Sequence, residues 1–464
     1  MRFAAALVSL IVFKFIEKEV ILMAFKLGGS GAKMKQVAQK EQALRKKMQT
    51  AETMSAAKVP ANLSSAIAQI KLNCQKYLSK YEDKYLLLRD EDSVRQYFDE
   101  IIKSGIAAID TETTGLNPML VKLAGLCLYV PGHKPCYIPV NHVGHVTRAR
   151  LDGQLSEEFL KQQLERCTGV KWIMHNAKYD IRVLRHTCNV DLTCYWDTML
   201  AAKMLNENES AALKNLHMKY CPSEDSKALT ISTLFDGMMF TLIPIECAYL
   251  YAAGDAVKTY ELYTFQKFHL DKPHLAGPRH VFKTIEMPMI RILADMEDKG
   301  VALDFEFAKY LHDKYSAKLK EAETACYAAL EPEKGKIDDY RLTVRDCKLS
   351  DPINLSSTVQ VGILLYDILN LKPKNGQNFG KKVGEEQLLQ LDHPFVKNLL
   401  EYRGLIKLMS TYVDKLPAVV DPNTKRIHPS FNAMGAKTGR MSSADPENAN
   451  RDHKIRLIQG RAAA

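Results

Sequence analysis

The hydrophobic pattern of the first half of the chain alternates between strand-like and helix-like periods. Between residues 85 and 268, the short apolar runs KYLLLRD, IAAIDTE, LAGLCLYVPG and VKWIMHN predict strands. The amphipathic stretch EDSVRQYFDEIIKSG predicts a helix that ends at Gly105. Strands that alternate with helices predict an α/β domain built on a mixed sheet with flanking helices.

The second half of the chain has a mainly helical pattern. The stretches FKTIEMPMIRILADMEDKG and HPFVKNLLEYRGLIKLMSTYVDKL place apolar residues at helical spacing. Between the halves, the interval HLDKPHLAGPRH is rich in Pro, Gly and His, which is typical of a domain boundary. We therefore expect an α/β domain at 85–268, a linker at 269–282 and a mainly helical region at 283–464.

Residues 1–84 read as an N-terminal extension with an apolar start. The apolar run from Phe3 to Phe13 has the length of a signal-peptide core and is too short to span a bilayer. No small-residue cleavage site follows and Met23 offers a second start, so a misassigned start or an unstructured extension is favoured over export. The basic segment after Lys26 predicts a solvated helix rather than a nucleic-acid contact. We expect a cytoplasmic protein, in a bacterial or phage-infected cell, with no membrane partner.

Composition adds few constraints to this picture. The 464 residues are enough for two or three domains, and the net charge of +10 is compatible with a polyanionic partner without requiring one. The 10 cysteines include no C-x-x-C pair and no Cys/His cluster at zinc spacing. This argues against a disulfide framework and a zinc site, and it predicts reduced, mostly buried thiols.

Two carboxylates stand two positions apart in the predicted strand AAIDTETTGL. Side chains at i and i+2 of a strand share a face, so Asp110 and Glu112 should converge on one spot. Converging carboxylates repel each other unless a cation lies between them, and Mg²⁺ is the usual cation. Acid pairs at this spacing also arise by chance, so the pair alone does not assign a site.

Two later motifs supply further candidates. MHNAKYDIRVL places Asn176 and Asp180 four apart at the start of a predicted helix, and YLYAAGDAVKTYEL places Tyr251 and Asp255 four apart on another. A strand D-x-E followed by N-x-x-x-D and Y-x-x-x-D is far more specific than any single element.

The residue types in these motifs suit phosphodiester hydrolysis by two metal ions. Two Mg²⁺ or Mn²⁺ ions would activate water and stabilise the departing 3′ oxygen. Several carboxylates are needed because each ion takes only one or two protein oxygens. Asp110 would bridge the ions, and Tyr251 would orient or help to deprotonate the water. Asn176 would position Asp180 or the phosphate rather than bind metal.

The three motifs resemble those of the DEDD-superfamily 3′–5′ exonucleases, in the subclass with tyrosine in the third motif. The histidine subclass would place His at position 250, which is leucine here. The resemblance implies an RNase H-like sheet and places five residues in catalytic roles: Asp110, Glu112, Asp180, Tyr251 and Asp255.

The same resemblance assigns supporting positions. Thr113 and Leu116 match residues that touch the terminal nucleotide, and WDTMLAAKML around Asp197 matches a supporting motif in which a structural role is favoured for the aspartate. Gly254 departs from the family, because an acidic residue usually precedes the last Asp. Glycine weakens the helix there but leaves the ligands in place.

Four later segments, ending in RIHPSFNAMGAKTGRMSS, resemble the thumb and the start of the palm of family A DNA polymerases. With the exonuclease motifs, the resemblance covers roughly residues 85–445. It implies that Arg403, Lys407, Thr438, Gly439 and Arg440 contact duplex DNA. Arginine and lysine suit this role because they neutralise phosphates, and a guanidinium can reach minor-groove acceptors. The stretch after it, PENANRDHKIRLIQGRAAA, departs from the expected continuation and contains none of the palm and finger motifs. This chain alone is therefore not expected to synthesise DNA.

Three hypotheses follow from these patterns. The first is the proofreading exonuclease and thumb of a phage-type family A polymerase, acting on single-stranded or frayed DNA 3′ ends. The second is a non-catalytic DNA-binding half that needs a separately encoded palm and finger chain. The third is an RNase D-like exonuclease that acts on RNA, with an unrelated helical module at its C-terminal end.

Overall fold

A computed structural model describes residues 65–75, 83–222, 238–374, 376–433 and 439–444, together with the single positions 63, 235 and 435. The described part of the chain divides into two compact units, and the division falls between Ala294 and Asp295. Most of the predicted N-terminal extension and the last twenty residues lie outside the described residues. No helix among the described residues is long and apolar enough to cross a membrane.

The first unit is built on a six-stranded mixed sheet in the order β1-β4-β3-β2-β5-β6. Its central strand β2 pairs antiparallel with β3 and parallel with β5. The strands are β1 (Leu86–Leu87), β2 (Ile106–Thr113), β3 (Leu123–Tyr129), β4 (Cys136–Pro139), β5 (Lys171–Met174) and β6 (Cys194–Asp197). This confirms the predicted α/β class with a mixed sheet and flanking helices.

Helices cover the sheet, and the longest of them, α6, packs on β2, β3, β4 and β5. Besides the helical residues 65–75, the helices of the described part of this unit are α1 (Glu91–Ser104), α2 (Glu157–Arg166), α3 (Ala177–Cys188), α4 (Thr198–Leu205), α5 (Leu213–Tyr220), α6 (Ile245–Leu270), α7 (Ala276–Val281) and α8 (Met287–Lys299). Short 3₁₀ turns occupy Phe240–Leu242 and Pro273–Leu275, and a π-helical turn occupies Phe282–Glu286.

Local signals in the sequence explain the bounds of α1. The Asp90 side chain accepts a hydrogen bond from the backbone N of Ser93 at 2.8 Å and caps the helix. Gly105 ends it with a φ of 66°, a left-handed conformation that glycine adopts at no steric cost. The apolar run before this helix forms only the two-residue strand β1, shorter than the predicted strand.

Under α6, strands β3 and β4 approach each other closely at Gly125. Gly125 of β3 pairs with Pro139 of β4, and a Cβ on Gly125 would lie 2.2 Å from the hydroxyl oxygen of Tyr137. The glycine therefore lets the Tyr137 ring lie across the sheet, where its hydroxyl is 2.6 Å from Nε2 of His142. Nδ1 of His142 is in turn 2.8 Å from the carbonyl oxygen of Ile243, just before α6.

The segment 269–282, predicted as a linker, differs from that prediction. It is mostly helical, and Phe282 is fully buried in the core of the first unit, where its ring lies 4.6 Å from that of Trp196. The Pro and Gly residues stand in the first turns of short helices, where a missing N–H is tolerated. The division between the units instead falls within α8.

The second unit is mainly helical, as predicted, with a core of its own. Its helices are α9 (Phe305–Ala328), α10 (Lys334–Thr343), α11 (Thr358–Gly362), α12 (Glu385–Leu388), α13 (Pro394–Leu408) and α14 (Lys415–Ala418), with a 3₁₀ turn at Glu331–Glu333 and π-helical turns at Ile363–Ile368 and Met409–Val413. Four short strands complete it, of which β7 (Val301–Ala302) pairs with β8 (Arg426–Ile427), and β9 (Ser430–Asn432) pairs with β10 (Ser442–Ala444).

Candidate metal centre

Strand β2 brings Asp110 and Glu112 to one face of the sheet. Cys127 of β3 lies directly across from Asp110 in the strand register. One oxygen from each carboxylate and the Cys127 sulfur all lie within 4.8 Å of one another. The two carboxylates therefore meet where their spacing in the sequence predicts, with a thiol beside them that the spacing did not indicate.

Helix α6 supplies Tyr251 and Asp255, one turn apart and both buried. The Asp255 charge acts on both Asp110 and Glu112, so the helix brings a third carboxylate to the same place. The helix continues without a break through Gly254. A Cβ on Gly254 would stand 3.0 Å from the hydroxyl of Tyr85, so the glycine leaves room for that ring.

Helix α3 supplies Asp180, whose side chain is 2 % exposed. Thr111 holds it, since its hydroxyl donates to Oδ1 of Asp180 at 2.6 Å and its backbone N donates at 3.3 Å. Thr111 stands between Asp110 and Glu112 on β2. One strand therefore positions three of the four carboxylates.

The carboxylates raise one another's proton affinity. Burial raises the pKa of Asp110 to about 7, and the charge of Asp255 adds to this. Burial also raises the pKa of Glu112 and of Asp180 well above its ordinary value, with the charge of Asp110 as the next cause in each case. A divalent cation would remove this repulsion and replace the lost water with a charge partner.

Two lysines balance part of this negative charge at Asp255. Nζ of Lys258 lies 2.7 Å from Oδ1, and Nζ of Lys214 lies 3.5 Å from Oδ2. Burial alone would raise the pKa of Asp255, but the two ammonium groups lower it below the ordinary value. If all four carboxylates were ionised, as they would be around bound cations, the two lysines would offset only part of their charge.

Tyr251 is enclosed by aromatic and charged groups. The rings of Phe235 and Phe240 lie 5.7 and 6.2 Å from its ring, and Nζ of Lys214 lies 3.6 Å from the ring centroid. Burial raises the pKa of Tyr251 well above its ordinary value, and the charges of Asp255, Glu112 and Asp110 raise it further. Its phenol therefore remains protonated and can donate a hydrogen bond.

The donor set fits hard divalent cations. Glu112 is only 9 % exposed, and its carboxylate has no hydrogen bond or ion pair among the described residues. A buried carboxylate without a partner costs several kcal/mol of desolvation in general, a cost that a bound cation offsets. Asp110, Glu112, Asp180 and Asp255 together offer the oxygen ligands that Mg²⁺ or Mn²⁺ takes.

The positions expected to touch the nucleotide border this cluster. The Thr113 hydroxyl lies 2.6 Å from that of Tyr179, and Tyr179 donates to the carbonyl oxygen of Gly115 at 2.6 Å. Leu116 is half-buried in the same turn. Contact of Thr113 and Leu116 with a nucleotide stays a prediction.

Asn176 stands just before α3, apart from the helical face of Asp180, whereas Asp197 binds backbone N–H groups. Asn176 precedes α3 in a left-handed conformation with φ of 67°, so it does not share a helical face with Asp180. No hydrogen bond joins the two side chains among the described residues, and Thr111 positions Asp180 instead. Asp197 is 1 % exposed and accepts four backbone N–H groups, from residues 176, 177, 199 and 200. It ties α3 to α4 and is structural, as favoured from the sequence.

The predicted DNA contacts of the second half are placed unevenly. The Arg403 guanidinium donates to the carbonyl oxygens of Val383 at 2.7 Å and Leu355 at 3.3 Å, so its donors already bind backbone within its own unit. Burial also lowers its pKa. Lys407 and Arg440 are exposed, whereas Thr438 lies outside the described residues.

Four side chains at the centre were not predicted from the sequence: Thr111, Cys127, Lys214 and Lys258. Lys258 could have been found, because it follows Asp255 by one helical turn. Thr111 alternates with the two carboxylates on β2. Cys127 and Lys214 reach the centre only through strand register and helix packing, which no local pattern encodes.

Comparisons with known proteins agree with this geometry. Residues 85–269 match the family described as 3′-5′ exonuclease, and residues 287–458 match DNA polymerase family A. DNA polymerase I of Synechocystis sp. is 33% identical over 354 residues, which cover 73% of this chain and 32% of that protein. DNA polymerase I of Chloroflexus aurantiacus is 30% identical over 391 residues, which cover 81% of this chain and 38% of that protein.

A solved structure shows the same fold. The POL domain of Pol1 from M. smegmatis, in complex with DNA primer-template and dNTP, aligns with a TM-score of 0.55 and 21% identity, over 77% of this chain and 54% of that one. The chain spans about a third of the length of the two curated relatives. Residues 85–269 therefore carry a 3′-5′ exonuclease domain, and residues 287–458 match part of a DNA polymerase family A domain.

Proposed function

We propose that this chain removes nucleotides from DNA 3′ ends by two-metal hydrolysis and releases nucleoside 5′-monophosphates. The observation that carries the proposal is the convergence of four carboxylates from β2, α3 and α6, with Tyr251 one turn from Asp255. The match of residues 85–269 to the 3′-5′ exonuclease family supports it.

The residues of the metal centre have different proposed roles in the hydrolysis. Asp110, Glu112, Asp180 and Asp255 would hold two Mg²⁺ or Mn²⁺ ions, which supply an activated water and offset the charge on the phosphate and the leaving oxygen. Tyr251 keeps its proton, so it orients the attacking water as a hydrogen-bond donor rather than removing a proton from it. Thr111 keeps Asp180 in place through two hydrogen bonds.

The recessed position of the cluster favours unpaired 3′ ends. The carboxylates are largely buried, so a terminal nucleotide must leave its duplex to reach them. Melting a mismatched end costs less free energy than melting a paired one. Single-stranded or frayed DNA is therefore the proposed substrate, and proofreading is the proposed role.

The second unit would bind the duplex that precedes this end. Its match to DNA polymerase family A supports this, and so does the solved relative, which is bound to a DNA primer-template. Lys407 of this unit is exposed and available for phosphates, and so is Arg440, which groups with the first unit. Arg403 would act through the backbone carbonyls that it binds. A separately encoded polymerase chain is a further proposed partner, tested by mixing the two chains and measuring template-dependent synthesis.

The direct test uses purified chain, Mg²⁺ and a 5′-labelled single strand of DNA. We expect stepwise shortening from the 3′ end, release of nucleoside 5′-monophosphates, and loss of both in Asp110→Ala. Asp152→Ala, at an exposed aspartate of the same unit, serves as the control and should keep full activity. Equal activity in wild type and Asp110→Ala would exclude this site.

Substrate class is tested separately with an RNA strand of the same sequence. The family match predicts faster hydrolysis of DNA. Faster hydrolysis of RNA would favour the RNase D-like alternative.

A further inference from the structure

The last turns of α6 carry aromatic and basic side chains that the proposed hydrolysis does not use. Tyr260, Thr264 and Phe268 stand on successive turns of one helical face, with Tyr263 and Lys267 beside them. These five residues line a groove of about 670 Å³ together with Asp271, Lys272 and Pro273. A volume of this size is within the range of about 300–1,000 Å³ that is typical of ligand sites. We call these eight residues the α6 groove.

The two tyrosines of the α6 groove are held in place by the sheet beneath them. The Tyr260 ring lies edge-on to Tyr129 of β3 at 5.5 Å, and the Tyr263 ring lies 5.3 Å from that of Trp196. Tyr260 remains half-buried, whereas Phe268 is 67 % exposed. Anchored rings that reach the surface are platforms on which an unpaired base can stack.

The α6 groove contains more positive than negative charge. Among the described residues that line it, Asp271 is the only carboxylate, and it already pairs with Lys267 at 2.5 Å and lies 3.6 Å from Arg279. Nζ of Lys272 lies 5.0 Å from the centre of the Phe268 ring, and no carboxylate of the described residues pairs with it. An anionic ligand therefore meets a surplus of cations beside an exposed ring.

The α6 groove lies apart from the metal centre. Phe268 and Asp255 belong to the same helix, and at 1.5 Å per residue they stand about 20 Å apart along its axis. A stacked strand would need about six nucleotides to cover that distance at 3.4 Å each. The hollow next to the groove at Tyr260 contains Glu261, which is paired with His217, so the surplus of positive charge does not extend into it.

We propose that the α6 groove is a second binding site for single-stranded DNA, in addition to the metal centre. Unpaired bases stack on Phe268 and Tyr260, and Lys267 and Lys272 neutralise phosphates of the same strand. Bases within a duplex have no free faces for this stacking. An acidic peptide would use the lysines but not the rings, so the combination favours an unpaired nucleic-acid strand.

Stacking is tested on the full chain in EDTA, which prevents hydrolysis. The anisotropy of a 5′-fluorescein-labelled oligo(dT) of about 12 nucleotides, within the usual site sizes of single-strand binding proteins, reports the Kd. Phe268→Ala should bind about tenfold more weakly, because a base loses its stacking partner. Ile102→Ala removes an exposed apolar side chain of α1 and should bind like wild type.

The phosphate contact is tested by the salt dependence of the same binding. Lys272→Gln should lower the slope of log Kd against log KCl concentration by about 0.7, because each phosphate contact with a single strand contributes about that much. Lys103→Gln, at an exposed lysine of α1, should keep the wild-type slope. A wild-type slope in Lys272→Gln would contradict the proposed contact.

The outcomes separate this inference from the proposed function. Wild-type affinity for oligo(dT) in Phe268→Ala, in protein whose melting curve matches wild type, would overturn the inference. Displacement of the strand by oligo-glutamate, with no effect of Phe268→Ala, would identify an acidic-peptide site instead. A chain that binds oligo(dT) through Phe268 but does not shorten DNA with Mg²⁺ would contradict the proposed function and leave the second site supported.

Discussion

At the scale of residues, the metal centre holds four largely buried carboxylates whose repulsion is relieved in two different ways. Three carboxylates raise one another's pKa, whereas Asp255 is held ionised by Lys214 and Lys258. Without metal, protons relieve the first group and lysines relieve the second. Divalent cations would replace the protons, which makes metal binding and pH interdependent.

The pH dependence of stability follows from Asp110. Its pKa is about 4 in an unfolded chain and rises to about 7 on folding, so between these values the folded state binds the extra proton. Folding stability in EDTA should therefore fall as pH rises from about 4 to about 7. Calorimetric melting across this range should show a steeper fall for wild type than for Asp110→Asn. If stability fell equally with pH in the two proteins, the pKa of Asp110 would not be raised on folding.

Lys258 should stabilise the metal-free protein. In Lys258→Met, Asp255 loses an ammonium group at 2.7 Å, so the free energy of unfolding in EDTA should drop by about 1–3 kcal/mol. Lys267→Met is a matched control, because it breaks an exposed pair between the last turn of the same helix and its C-cap residue Asp271. Exposed pairs contribute only about 0–1 kcal/mol. Equal losses in urea unfolding of the two variants would show that Lys258 has no special role.

At the scale of elements, local patterns explain some features and tertiary packing explains others. The Gly105 ending and the D-x-E spacing on β2 are local, and the sequence predicts both of them. The positions of Cys127 and Lys214 depend on how β3 registers with β2 and how α5 packs on α6. The helical segment 269–282 was predicted as a linker because its Pro and Gly residues look the same at a helix start as in a loop.

The approach of Tyr137 over Gly125 should be sensitive to a single methyl group. A Cβ at Gly125 would lie 2.2 Å from the Tyr137 hydroxyl, so Gly125→Ala should destabilise the protein by about 1–3 kcal/mol. Gly277→Ala is the control, since a Cβ there meets nothing within 4 Å on a helix and should stabilise slightly. Thermal melting distinguishes them, and a neutral Gly125→Ala would show that the ring moves freely.

At the scale of the whole molecule, two units with separate cores correspond to the two families that the chain matches. The net charge of +10 suits a nucleic-acid partner but does not determine whether a paired or an unpaired 3′ end is bound. In the proposed function, burial of the carboxylates would make that selection, because a terminal nucleotide would have to be unpaired to reach them.

Selection of ends is measurable as a rate ratio. Unpairing and unstacking a terminal base costs a few kcal/mol, so a mismatched 3′ end should be shortened about tenfold or more faster than a paired one. The comparison uses primer-templates that differ only in the terminal pair. A ratio near one would contradict access through an unpaired end.

The proposed hydrolysis requires four acidic side chains to hold a pair of divalent ions. Calorimetric titration of the full chain with Mn²⁺, with Asp110→Asn beside the wild type, counts these ions. We expect two ions bound per wild-type chain and the loss of at least one of them in the variant. Identical binding curves for the two proteins would contradict it.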